Sequence, residues 1–171
     1  MRITILLLTA LLTTNATAET RHAEAHVHGI NHVQIILNGS TLQVTYEFPV
    51  AQLNENKHDE HKHDELAERL KEITSIATLV AIPDSAKCRQ TRIEHDLRAV
   101  SSTGSDDGHT NHQDAILETV LECQNPSALD SVDFSPAFSR FEDVEKILVE
   151  GMLGSQSLSD TVTAKKAVMS F

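Results

Sequence analysis

Apolar residues fall at period two between positions 33 and 48. Val33, Ile35 and Leu37 form one set, Asn38-Gly39 supplies a turn, and Leu42, Val44, Tyr46 and Phe48 form the next, which predicts a β-hairpin ended by Pro49. If its first strand reaches back to residue 26, strand geometry places His26, His28 and His32 on the face opposite Val33, Ile35 and Leu37. A polar stretch, Asn54 to Glu65, comes next. Leu66, Leu70, Ile73, Ala77 and Val80 then recur at helical spacing, which predicts an amphipathic helix from about Asp64 to Leu79, with Asp64 as N-cap and Pro83 beyond its end.

The second half reads as strands. One is expected over Lys87 to Val100, with Ile93, His95, Leu97 and Ala99 on one face, and one over Ala115 to Cys123. After Pro126 come a helical turn, a strand around Ser131 to Ser135, a turn around Pro136 to Phe141, and strands over Val144–Glu150, Gln156–Val162 and Ala167–Phe171. The expected fold class is therefore α+β: antiparallel hairpins and strands with one clear amphipathic helix. A faint echo of hairpin, helix and strand in the second half raises two similar lobes, about 19–100 and 114–171, joined by an exposed loop at 101–114 rich in glycine, acidic residues and histidine.

The first eighteen residues do not fit that domain. Arg2 followed by an apolar run from Ile3 to Leu12 and the small-residue site Ala16-Thr17-Ala18 has the form of a secretory signal peptide, too short to span a bilayer. Cleavage would leave residues 19–171 as the mature α+β domain. Removing Arg2 moves the formal charge from −11 to −11 − 1 = −12, which disfavours nucleic acid and anionic membranes and suits a cationic partner. No later segment is apolar enough for stable membrane insertion. A periplasmic location is the simplest expectation. In such an oxidising compartment the only two cysteines, Cys88 and Cys123, are expected to form a disulfide, closing a loop that contributes roughly 4 kcal/mol in the chain-entropy model.

Ten histidines carry the candidate chemistry. Imidazole is the commonest protein ligand for zinc, and two or three within reach of one ion suffice. His26 and His28 are spaced so that two strand residues could hold one metal from one face, with His32 beside them. His58, ten residues beyond the hairpin's second strand, can fold back toward that pair. His58, His61 and His63 stand in a charged low-complexity tract that reads equally well as a solvated loop or as a zinc-capture segment. His109 and His112 share the 101–114 loop with Asp106, Asp107 and Asp114. His95 alternates with apolar residues and reads as a satisfied boundary histidine, while His22 falls where chain ends fray. Catalytic signatures are lacking: there is no His-Glu-x-x-His helix and no Gly-x-Ser-x-Gly elbow, so an enzyme is not expected.

Ala25-His-Val-His-Gly29, the hairpin Ile36-Leu-Asn-Gly-Ser-Thr-Leu42, Glu47-Phe-Pro49, the order Cys88, histidine-bearing acidic loop, Cys123, and the segment Phe138-Ser-Arg-Phe141 through Val144-Glu-Lys-Ile147 together resemble the ZrgA-like family of zinc-regulated periplasmic proteins. The resemblance implies a periplasmic zinc-binding protein that supports zinc uptake and carries His26, His28 and His58 over as ligands. The chain departs from the family at Glu55-Asn56-Lys57, which replaces Gly-Phe-Glu before His58, and in having only two histidines in the loop after Cys88. The function expected is a zinc buffer or chaperone with Zn2+ as cargo and a zinc ABC importer component as partner. Two rivals stay open: a zinc-dependent hydrolase, and a structural module whose histidines are only solvated.

Overall fold

The computed structural model describes residues 29–53, 63–99 and 113–171. Among the described residues there are eight strands: β1 (Ile30–Asn38), β2 (Thr41–Pro49), β3 (Cys88–Ala99), β4 (Gln113–Cys123), β5 (Ser131–Asp133), β6 (Lys146–Leu153), β7 (Gln156–Val162) and β8 (Val168–Ser170). Six of them form one sheet in the order β3-β4-β2-β1-β6-β7, and β5 pairs with β8 in a separate ribbon. The pairings are antiparallel except β1 with β6, which run parallel. Strands from before and after the 101–114 loop are thus interleaved in a single sheet.

The hairpin forms where the period-two pattern predicts it, with a small shift in its turn. Asn38 pairs with Thr41, so the two-residue loop is Gly39-Ser40, and Gly39 takes φ 62, a conformation glycine adopts without steric cost. Val33, Ile35, Leu42, Val44, Tyr46 and Phe48 are all buried on one face. One hydrophobic cluster joins that face to Leu66, Leu70, Phe134, Phe141 and Met169 from the short helices and the ribbon. Phe48 stacks on Phe141 with ring centroids 4.9 Å apart, a separation at which aromatic pairs attract beyond simple burial.

The fold is mostly β, a sandwich-like sheet with only small helices, which corrects the α+β expectation. The predicted helix is present only as α1 (His63–Lys71), nine residues long, and a second helix, α2 (Ser135–Arg140), has six. The physical reason lies on β3. The Gln90 side chain donates to the Thr74 carbonyl and accepts from the Ile76 N–H, both at 2.9 Å, taking backbone groups that a continuing helix would have to pair within itself. Ser75 is extended and accepts the Ala77 N–H with its hydroxyl, which starts a separate 3-10 turn over Ile76–Thr78. The apolar residues still reach the core in two pieces: Leu66, Leu70 and Ile73 are buried, then Ile76, Leu79 and Val80, while Ala77 is exposed. Helical periodicity therefore marked the buried positions but not the length of the helix.

Close approach of β1 and β6 requires Gly151. It lies opposite Ile35, and a Cβ added there would meet the Ile35 carbonyl oxygen at 1.8 Å, a backbone atom that cannot swing aside. Gly151→Ala is expected to destabilise the fold by about 3 kcal/mol or more, beyond the usual range for an added core methyl group. Gly154→Ala, in open space, incurs only the strain of holding an alanine at positive φ, about 1 kcal/mol. Urea unfolding of both variants checks the order, and equal midpoints for the two would contradict it.

Candidate functional site

Strand register brings the ends of three histidine-bearing stretches to one end of the sheet. Pro49, last in β2, pairs with Asp114 at the start of β4, and Asp114 pairs with Arg98 near the end of β3. Ala99 and Gln113, which flank the loop carrying His109 and His112, pair one step further out. Gly29, the residue after His28, shares the wall of a cavity of about 420 Å³ with Pro49 and with Gln52 from the 3-10 turn Val50–Leu53. That turn leads to the stretch containing His58.

His32 is the candidate ligand whose side chain is described. It stands exposed on the outer face of β1, across from Glu47 in register, as alternation requires. His63 opens α1. His26, His28, His58, His61, His109 and His112 lie outside the described residues. Gly29 is a turn residue with φ 86, so the described strand starts at Ile30 rather than at the first histidine pair. No group of three or more His, Cys, Asp or Glu side chains suited to a metal occurs among the described residues.

Cys88 and Cys123 are directly opposed across β3 and β4 and are disulfide-bonded. Ten residues of β4 separate Cys123 from Gln113, which at strand rise is roughly 33 Å. The sulfurs therefore sit at the opposite end of the hairpin from the histidine loop. His95 is a structural group, as its alternation with apolar residues implied: its Nε2 lies 2.9 Å from the Ile73 carbonyl oxygen, which can only accept, so Nε2 carries the proton. With Gln90, it satisfies carbonyls left open where the predicted helix breaks.

Three polar side chains, of which only Tyr46 stood out in the sequence as an inward strand position, organise the core beneath the histidine end. Asn31 Nδ2 donates to the Tyr46 hydroxyl at 3.0 Å, and Gln52 Nε2 donates to Asn31 Oδ1 at 2.8 Å. Asn31 and Tyr46 are fully buried. Burial pushes the Tyr46 hydroxyl well above its ordinary value, with the Asn31 bond pulling weakly the other way, so the phenol stays protonated at any physiological pH. The chain ties the start of β1 to β2 and to the turn that leads toward His58. For the other two, the one available signal was Asn31 itself, a polar residue at an inward position of the β1 alternation.

Charge around the two neighbouring cavities is divided. The cavity beside Gly29 carries Glu142, Asp143 and Glu145 on its wall. A second, of about 500 Å³, shares Gln52 and is lined by Arg69, Arg140 and Glu72 with Leu53 and Phe141. The carboxylates therefore lie on the side where the chain arrives from His28, and the guanidiniums on the side of α1 and α2.

Residues 25–171 match the family model described as ZrgA family zinc uptake protein. No curated protein matches the chain.

The buried chain predicts a stability ranking. Asn31→Ala leaves both the Tyr46 hydroxyl and the Gln52 amide without their partner and is expected to cost about 2–4 kcal/mol, whereas Tyr46→Phe orphans only one Asn31 N–H and costs about 1–3 kcal/mol. Chemical denaturation of the two variants measures this, and an Asn31→Ala midpoint equal to the parent's would refute a structural role for the chain.

Proposed function

We propose a mechanism for a chain that belongs to the ZrgA family of zinc uptake proteins, a membership its family match shows over residues 25–171. Its role lies in zinc uptake, and that family is described by uptake rather than by a catalysed reaction. The proposal is that the protein binds Zn2+ reversibly through neutral imidazoles at the histidine end of the sheet, acts in the periplasm, and passes the ion to an importer. His26, His28 and His58 are the principal ligands, with His32 adjacent. His61, His63, His109 and His112 serve capture.

The observation that supports this is the convergence of the described flanks. His28 is one residue from Gly29, and His58 is five residues from both Leu53 and His63, a tether of about 17 Å at most. His112 adjoins Gln113 on β4, which is two strand spacings, about 10 Å, from β1. Imidazoles on such tethers can reach one ion with zinc–nitrogen bonds of about 2.0–2.1 Å. The carboxylates of Glu142, Asp143 and Glu145 beside Gly29 add a negative local field that raises the concentration of a divalent cation there.

Replacing both His26 and His28 with alanine should weaken the tightest zinc-binding phase at least tenfold in calorimetric titration of the chelator-stripped mature protein, because two ligands vanish. An unchanged curve would exclude this ligand pair.

Proton competition gives the second test. Imidazolium cannot coordinate, and histidine ordinarily titrates near 6.5, so zinc affinity is expected to be full above that value and to fall steeply from about pH 7 to pH 5. A site made only of carboxylates, which titrate near 4, would keep its affinity across that window. Affinities measured at three pH values and fixed ionic strength distinguish the two, and a flat response would remove histidine as the principal ligand.

A further inference from the structure

The amides beneath the histidine end join two places where the sheet hands over to histidine-bearing stretches. Asn31 lies three residues after His28 and Gln52 six residues before His58, so tethers of about 11 Å and about 22 Å at most separate those imidazoles from the two amides. The first anchor is rigid. Asn31 is fully buried, and its Nδ2 bond to the Tyr46 hydroxyl fixes the amide so that Oδ1 accepts from Gln52 Nε2 at 2.8 Å. The start of β1 is held further by the Gly29 carbonyl, which accepts from the N–H groups of Glu145 and Lys146 where β6 begins. On the other side, Val50 and Leu53 bury the turn against the core, and Arg69 of α1 donates to the Leu53 carbonyl at 3.0 Å. Apolar burial is non-directional, whereas an amide bond to a locked acceptor fixes how the turn is aimed.

We infer, on the premise that the histidines proposed above hold zinc, that Gln52 is a positioning residue for that site: through Asn31 it fixes the direction in which the His58 stretch leaves β2 relative to the start of β1. A ligand on a tether binds at an effective concentration set by where the tether starts, and freeing one start spreads its imidazole over a larger volume. The ordering otherwise done by the Gln52 bond then falls on zinc binding itself, which weakens it. Gln52 touches no metal in this role. Its effect depends on both tethered ligands being present, because one imidazole alone has nothing to be aligned with.

Calorimetric titration of chelator-stripped mature protein with Zn2+ gives the test, in a cycle of four forms: parent, Gln52→Met, His58→Ala and the two changes together. Gln52→Met removes the donor at nearly constant volume. It should keep the parent's stoichiometry and weaken the tightest phase about tenfold, the range expected when a group that orients metal ligands is lost. With His58→Ala in place, the same change should have no further effect. A residue that only stabilises the fold would act alike in both backgrounds. Gln52 is half-buried and the Asn31–Tyr46 bond survives its replacement, so the variants are expected to fold, and the melting temperature without zinc verifies it. Gln52→Ser, too short to reach Asn31, should repeat the result with a polar side chain. Equal affinity in the parent and both Gln52 variants, or an equal loss with and without His58, would overturn the positioning role while leaving histidine coordination standing. A parent that binds no zinc would remove the ligands and this role together.

Discussion

Everything at the histidine end depends on the register of β1. This strand lies between an antiparallel neighbour and a parallel one, and Gly151 permits the close approach on the parallel side. Register fixes face: Asn31, Val33 and Ile35 point into the core while His32 points out. A slip of one residue would exchange the two sets, burying an imidazole and exposing the core. The Asn31–Tyr46 bond opposes such a slip, since a fully buried amide finds its partner only in the observed register.

How much of this was legible in the sequence follows from the range of each interaction. Strands with strict alternation or clear boundaries were readable: β7 runs from Gln156 to Val162 as expected, and Cys88 and Cys123, the two cysteines of the chain, are paired as expected. The helix was not. Leu66, Leu70 and Ile73 carry a helical period whatever follows, but its end was decided by Gln90, fourteen residues beyond Ile76, in a different element. Local periodicity reports which side chains are buried and is silent about a distant side chain that competes for backbone hydrogen bonds. The overestimate of helical content, and with it the α+β class, came from that one omission.

The candidate site was legible in composition and only partly in place. Histidine spacing and resemblance selected candidate ligands, and the described structure supplies something the spacing could not: the flanks of stretches far apart in sequence meet beside Pro49 and Asp114. Conversely, nothing in the sequence singles out Glu142, Asp143 and Glu145, because the cavity they line is assembled from elements that are distant along the chain.

The position of the disulfide separates two kinds of chemistry along one hairpin. Thiolates bind zinc more strongly than imidazoles do, but they are consumed by oxidants, and a metal site containing them gains or loses affinity with the redox state of its surroundings. Here both sulfurs are bonded to each other about 33 Å from the loop end of β4. A metal held by nitrogen ligands at the far end would respond to protons and to competing chelators, and would be blind to electron donors and acceptors.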